Sequence, residues 1–524
     1  MDFRACIFSR LRVSTASFAL LPTLLASLTL LGVGISYAEP VSTEGEAPTT
    51  KTETARPNIL IILADDMGWS DVGYHGSEIR TPNIDRIARE GIELDRFYVQ
   101  PTCSPTRSGL MTGKSPASLG IHLPISKNEV NGLPKEEKLL PEYLADAGYQ
   151  PLMTGKWHLG HYTPDMFPQA RGFEHFYGHV TGGVGYWDHT HGGGYDWQRN
   201  GVTVREDGYT TNLIANETLQ LIRERDRTRP TFLYVAFNAP HLPNEAPVDA
   251  IDRYLSVKNI RRRLHAAMVD EMDREIGRIL DALETEGMLE NTIVLFSSDN
   301  GGLNEASMNP TIARAGNFLL DVFGRPVPVA GLEFLTSNAL DGGADNSPLP
   351  GGKGSSAEGG ARVPAAIWWP GRLEGKRHEG FMTISDVLPT LLEATGSADL
   401  IPDDLNGASQ WAALSGEGEP GPTPDYVSSG SDRAALYRAP WKLYPEEPPL
   451  LYNIYADPLE QKDVAAENPE IVKAMSETLE NWPTSEIRTQ GILWSLLDPD
   501  SFGGEEDREP WADVARDRAA VGRP

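Results

Sequence analysis

The chain has 524 residues, with 74 acidic side chains against 46 Lys and Arg and a formal net charge of −28. That balance argues against a nucleic-acid partner, and an anionic substrate would need a local positive pocket to overcome the overall field. Only two cysteines are present, so no disulfide framework supports the fold, and the length suggests a large domain with a smaller one attached.

Residues 1–38 place Arg4, Arg10 and Arg12 ahead of an apolar run from about Ala16 to Val33, and end in Ser36-Tyr37-Ala38. A basic start, a short apolar stretch and a small-x-small ending predict a secretory signal peptide cleaved near Ala38, and hence export to the periplasm or the medium. The apolar run is short for an anchor, and no later segment reads as a stable membrane span. Cys6 would leave with the signal, which makes Cys103 the lone cysteine of the mature chain. Residues 39–55 are polar and low in complexity and read as a flexible linker.

A catalytic domain is expected over residues 56–420. Its apolar runs are short and stop at polar clusters. "NILIILADD" ends in Asp65-Asp66, and "YQPLMTGKWHLG" leads into Lys156 and His158. "PTFLYVAFNAPH" ends at His241, "NTIVLFSSDNGG" ends in Asp299-Asn300, and "VPAAIWWPG" follows Lys353 and Arg362. Continuous apolar runs of this kind predict buried, mostly parallel strands. Between them lie helical patterns, of which "HAAMVDEMDREIGRILDALETEG" is the clearest: Val269, Met272, Ile276, Ile279 and Leu283 recur at three and four residues, and Gly287 can end the helix. Strands alternating with helices predict an α/β sheet whose ligands bind at the carboxyl ends of its strands. Residues 421–524 read as a small C-terminal α+β subdomain and an acidic tail, and the last thirty or so residues have no assignment.

The turn "PTCSPTRSGLMTGK" surrounds Cys103 with polar residues, which favours chemistry over packing. Pro105 fits the first position of a helix, so Cys103 is expected just ahead of a helix N-terminus, where free N–H groups favour anions. Asp65, Asp66, Asp299 and Asn300 offer only oxygen, which suits Ca²⁺ or Mg²⁺ and not Zn²⁺. Arg107, Lys156, His158, His241 and Lys353 are unremarkable singly. Around a metal they would make a cationic pocket for a sulfuryl or phosphoryl group.

"CSPTRSGLMTG" resembles the sulfatase signature Cys/Ser-x-Pro-x-Arg followed by Thr-Gly. "PNILIILADDMGWSDVGYHGSEIRTPNIDRIAREGI", "GKWHLG", "PH", "DNGG" and "GGKGSSAEGGARVPAAIWWPG" resemble the same family in its order, from about Arg56 to Gly396, and "LYNIYADPLEQKDVA" does so more loosely. The likeness is nearest to the arylsulfatase B-like group, whose best-known member acts on N-acetylgalactosamine 4-sulfate. It implies an alkaline phosphatase-like fold: a large, mostly parallel or mixed sheet between helices, with a C-terminal subdomain on a short antiparallel sheet. It also implies that a formylglycine-generating enzyme converts Cys103 to formylglycine. One hydroxyl of the hydrated aldehyde would attack sulfur, and the other would then drive out sulfate, an exit that serine or a thiol lacks. By the same resemblance Asp65, Asp66, Asp299, Asn300 and the modified Cys103 surround Ca²⁺, with Mg²⁺ the less expected ion. Asp299 would take the proton of the attacking hydroxyl, Arg107 and His158 would position the diol, and Lys156, His241 and Lys353 would grip the sulfate. His241 or Lys353 would protonate the leaving oxygen. The substrate implied is a sulfated carbohydrate or an aryl sulfate. The other reading on this fold is a phosphodiester or phosphonate monoester hydrolase. Oligomeric state is left open.

Three features depart from the family pattern or add to it. The segment 303–341 is longer than the group leads one to expect and adjoins the metal strand. Tyr186, Trp187, His189 and His191 could line a sugar subsite or simply pack a loop. The sequon Asn216-Glu217-Thr218 lies in a helix-like stretch and reads as chance.

Overall fold

The computed structural model describes residues 56–191, 194–304, 342–373, 375–418, 421–485 and 509–521. The expected signal peptide and linker, nearly all of the 303–341 segment and most of the acidic tail lie outside the described residues.

Strand β1 (Asn58–Ala64) shows why the apolar runs are unbroken. Ile59, Ile61 and Leu63 enter one hydrophobic core, while Leu60, Ile62 and Ala64 enter a second. Successive side chains of a strand point to opposite faces, so a strand covered on both sides has no position for a polar residue. The other strands are β2 (Ile92–Tyr98), β3 (Gln150–Lys156), β4 (His175–His179), β5 (Thr190–His191), β6 (Gly194–Tyr195), β7 (Gln198–Arg199), β8 (Val202–Thr203), β9 (Thr231–Ala236), β10 (Thr292–Ser298), β11 (Ala365–Trp368), β12 (Lys376–Thr383), β13 (Tyr426–Ser429), β14 (Ala434–Arg438), β15 (Trp441–Tyr444) and β16 (Leu450–Asn453). Ten of them form one sheet in the order β12-β2-β11-β10-β1-β9-β3-β4-β7-β8. The run β10-β1-β9-β3-β4 is parallel throughout. The flanks are mixed: β11 is antiparallel to both β10 and β2, and β7 and β8 close the other edge antiparallel. "VPAAIWWPG" is therefore a buried strand running against its neighbours, an orientation that an apolar run does not encode.

Helices α1 (Pro82–Glu90), α4 (Thr210–Glu224), the short α5 (Val248–Asp252) and α6 (Ile260–Thr285) cover one face; α2 (Cys103–Thr112) and α3 (Leu140–Asp146) cover the other with the helix Val387–Ala394. In α6 the predicted stripe of Val269, Met272, Ile276, Ile279 and Leu283 is fully buried. The helix starts earlier than that stripe, at a cap where the Asn259 side chain accepts the N–H groups of Arg261 and Arg262. Strands β13 to β16 form a separate antiparallel sheet, on which Met475 of the helix Pro469–Glu480 packs against Val427, Leu436, Leu443 and Leu451. Among the described residues no helix is long and apolar enough to cross a membrane.

Candidate active site

The register of the central strands brings the polar clusters together. Ala64 pairs with Ser298, Leu63 with Ala236, and Gly155 with Ala236. The residues that follow are Asp65-Asp66, Asp299-Asn300, Lys156 and, a short loop beyond β9, His241. Gly155 makes this packing possible. Its φ is +98°, and a Cβ there would lie 1.8 Å from the Ala236 carbonyl oxygen. Only glycine lets β3 approach β9 this closely just before Lys156.

Strand β2 runs in the same sense two places beyond β10 and delivers α2 to the same edge. Cys103 is the first residue of α2 and Pro105 the third, after an extended Thr102, so the helix begins two residues earlier than the proline suggests. Proline is tolerated anywhere in the first turn, where its missing N–H has no intrahelical acceptor. Gln100 and Thr106 close the turn: the Gln100 N–H donates to Thr106 Oγ1, which donates back to the Gln100 carbonyl.

Around Cys103 the charges are paired and almost wholly buried. Lys156 Nζ lies 2.6 Å from Asp65 Oδ2, and Lys353 Nζ lies 2.6 Å from Asp66 Oδ2. Arg107 donates from Nε and Nη2 to Asp299 Oδ2, at 3.0 and 2.8 Å, and from Nη1 to the Lys156 carbonyl at 2.8 Å. Asn300 Nδ2 donates to Asp66 Oδ1 at 2.8 Å, and the Asp66 N–H donates to Asp299 Oδ1. His241 uses Nδ1 on the Leu242 carbonyl, leaving Nε2 3.7 Å from Asp66 Oδ2. His158 uses Nε2 on the Ile125 carbonyl. Asp66 and His158 both adopt left-handed backbone, at φ 69° and 58°. Such strained conformations concentrate at functional sites because the surrounding packing over-determines them.

Burial is the largest influence on Cys103, Asp299, Asp66, His158 and His241. It pushes the Cys103 thiol up to about 12, with Lys156 and Lys353 pulling the other way. It pushes Asp299 up to about 6, aided by the like charge of Asp65 and opposed by Arg107. For Asp66 burial is outweighed by Lys353 and His241, which hold the carboxyl well below its ordinary range. His158 falls well below its ordinary value through burial and then Lys156, and His241 falls to about 3 through burial and then Lys353.

Asp65 Oδ1, Asn300 Oδ1 and His158 Nδ1 are buried without a hydrogen-bond partner. Ligand atoms of Asp65, Asp66, Cys103 and His241 lie within 4.8 Å of one another. Orphaned hard oxygens inside a carboxylate cluster fit a divalent cation, because leaving them bare costs free energy that a cation recovers. Asp299 adjoins this cluster, but both of its oxygens already accept hydrogen bonds from protein donors, Arg107 and the Asp66 N–H.

Of the four loop residues singled out beyond β4, two are packing. Tyr186 is fully buried and its hydroxyl donates toward the carbonyls of Asn238 and His241, each at 2.8 Å. His189 is buried and stacks on Trp197. Trp187 is exposed, and His191 is partly so. Further support came from residues the sequence did not single out. The Lys353 loop is held by the C-terminal sheet: Ser355 Oγ and the Ser356 N–H donate to Asp432, the Ser431 N–H donates to Gly354 O, and Lys442 meets Glu358 at 3.1 Å. Gln100 bridges to β13 by donating to the Val427 carbonyl and accepting the Ser429 N–H. The helix Trp511–Val521 returns to the catalytic side, where Trp511 Nε1 donates to the His191 carbonyl and Arg518 lies over the Tyr162 ring. None of these contacts has a local signature, because each joins segments far apart in the chain.

Buried carboxylates beside two bare oxygens, fixed cations and a side chain at a helix start define a hydrolase site for an oxyanion ester. The sequence profile of the family described as Sulfatase matches residues 57–397. The chain is 32% identical over 519 residues to arylsulfatase J of Mus musculus, covering 84% of this chain and 80% of that protein. It is 33% identical over 376 residues to the N-acetylgalactosamine-6-sulfatase of Homo sapiens, covering 67% of this chain and 65% of that one. Among solved structures, Ps i-CgsB in complex with k-i-k-neocarrahexaose superposes with a TM-score of 0.71 at 29% identity, covering 83% of this chain and 95% of that chain. The phosphonate monoester hydrolase of Agrobacterium radiobacter shares the fold, with a TM-score of 0.54 at 20% identity over 81% of this chain and 95% of that chain. The chain belongs to the sulfatase family and is a sulfatase-type hydrolase.

Proposed function

We propose that the enzyme removes sulfate from a sulfated carbohydrate, using a formylglycine made from Cys103 and a Ca²⁺ held by Asp65, Asp66, Asp299 and Asn300. The single observation that carries this is the convergence of Cys103, the buried acidic cluster with its orphaned oxygens, and Lys156, Lys353 and Arg107 on one strand edge. A hydrated aldehyde at position 103 would supply one hydroxyl to attack sulfur and a second to release sulfate, and the cation would polarise the sulfuryl oxygens. The remaining work falls to the chain's own residues. Arg107 is locked on Asp299 and the Lys156 carbonyl, so it fixes the floor of the site beneath Cys103. His158 donates from Nε2 to a carbonyl, so its bare Nδ1 can only accept, as an acceptor for a hydroxyl at position 103 must. His241 donates from Nδ1, so its Nε2 is likewise an acceptor. Lys353, with three N–H bonds and a partly exposed side chain, is then the donor to the leaving oxygen, in preference to His241.

The motif likeness to the arylsulfatase B-like group and the 6-sulfatase relatives both favour a hexosamine-type glycan, with sulfate at position 4 or 6. The basic and apolar N-terminal segment supports export. To test the proposal, protein from a host with the modifying machinery is assayed for sulfate release from 4- and 6-sulfated N-acetylgalactosamine glycans, and the Cys103 peptide is weighed by mass spectrometry. An aldehyde mass and release that Cys103→Ala abolishes are expected. An intact thiol in fully active protein, or a clear preference for an aryl phosphonate over the matched aryl sulfate, defeats the reading.

A further inference from the structure

A second concavity lies on the loop between β4 and α4, with a volume of about 350 Å³ and with Trp187, Asp188, Tyr195, Arg205, Glu206 and Asp207 in its walls. Trp187 is 51% exposed, one of the few large apolar side chains that face solvent among the described residues. Its ring leans on Tyr209 at 5.1 Å between centroids, and the preceding Tyr186 N–H donates to the partly buried Glu245 carboxylate at 2.8 Å, so its outer face is presented by a fixed frame. The concavity is acidic on balance. Asp188, Glu206 and Asp207 face a single guanidinium, Arg205, which is spent over the Tyr195 ring at 4.6 Å. Glu206 accepts the Tyr177 hydroxyl at 2.6 Å, which leaves the exposed Asp188 and Asp207 as the outward acceptors.

The two regions are joined by one side chain. Tyr186, next to Trp187, donates toward the His241 carbonyl, and Gly183 in the same loop lies against the His241 ring. A pyranose ring has an apolar C–H face suited to an indole and a rim of hydroxyls that donate to carboxylates. A sulfated ring in the same place would set like charges together in a partly desolvated site, which costs affinity.

We propose that this concavity is a subsite for an unsulfated sugar ring next to the sulfated ring that undergoes hydrolysis, and that its carboxylates reject a second sulfate there. The inference rests on the carbohydrate reading above. The test uses the matured full chain and three substrates: an aryl sulfate, a monosulfated disaccharide, and the same disaccharide with a second sulfate on the neighbouring ring. Trp187→Ala is expected to lower the ratio of kcat/KM for the monosulfated disaccharide to that for the aryl sulfate about tenfold, chiefly through KM. Asp188→Asn combined with Asp207→Asn is expected to raise turnover of the disulfated relative to the monosulfated disaccharide at least about fivefold. Equal losses on both substrates in Trp187→Ala, or a wild type that takes the disulfated disaccharide as readily as the monosulfated, overturns the subsite while leaving the sulfatase reading intact. Turnover of the aryl sulfate with none of any sulfated sugar overturns both the subsite and the carbohydrate reading.

Discussion

Asp432→Ala perturbs a residue in the turn between β13 and β14 of the C-terminal sheet, and it touches none of the proposed reacting groups. Its carboxylate accepts Ser355 Oγ at 2.7 Å and the Ser356 N–H at 3.0 Å, both on the loop that carries Lys353. A hydrogen bond to a charged group contributes about 1.5–3 kcal/mol when well buried. Asp432 is 41% exposed, which brings each bond nearer to about 1 kcal/mol and the pair to about 2 kcal/mol. The Ser431 N–H to Gly354 O, the Gly430 N–H to Ser356 Oγ, and the Gly354 N–H to Pro101 O survive the change, so the loop stays attached and the chain folds. The loss falls on how tightly Lys353 is held against Asp66. If the reaction needs that placement, about 2 kcal/mol corresponds to at most about thirtyfold in kcat/KM. Asp432→Asn keeps one acceptor oxygen and should lose about fivefold. Steady-state sulfate release beside a thermal melt reads both quantities. Wild-type kcat/KM in Asp432→Ala would refute the claim that the C-terminal sheet positions Lys353.

Gly155→Ala places a Cβ 1.8 Å from a backbone oxygen at positive φ. It should cost more than about 3 kcal/mol, visible as a lowered urea midpoint or loss of soluble protein. Chelation should abolish turnover and lower the melting temperature by about 2–3 °C, with Ca²⁺ restoring both better than Mg²⁺; unchanged melting and activity after chelation would count against the metal. Glu217 accepts Arg199 at 2.9 and 2.7 Å and His175 at 2.8 Å. Burial would raise its carboxyl, but Arg199 and His175 hold it down to about 2. Because the folded value is depressed, its stabilisation is complete above the ordinary Glu value near 4.5 and is lost as pH falls from there towards 2. The gap in unfolding free energy between wild type and Glu217→Gln, about 1–2 kcal/mol at neutral pH after allowing for the exposure of Arg199, should shrink by about pH 3.

The centre of the molecule was legible because its signals are local. An apolar run covered on both faces, followed by Asp65-Asp66 or Asp299-Asn300, reads as a buried strand with its ligands at the carboxyl end. The resemblance then assigned roles to every charged residue that the register brings together. The limits were equally physical. The direction of β11 depends on a connection, not on composition. The start of α2 was misjudged by two residues because proline is accepted at several first-turn positions. Tyr186 and Trp187 are adjacent aromatics in one motif, yet one ties down the His241 loop and the other faces solvent, and only the packing of Asn238 and Tyr209 around them separates the two.

The helix Trp511–Val521 has a bearing on when the enzyme becomes complete. Every member of the charged pocket lies between Asp65 and Lys353, yet the loop beside it is braced by Trp511, 320 residues after His191. During synthesis the charged pocket can assemble before residues 511–521, which brace the loop beside it, have been made. A product truncated before Trp511 would keep the pocket and lose this support for the loop beside it.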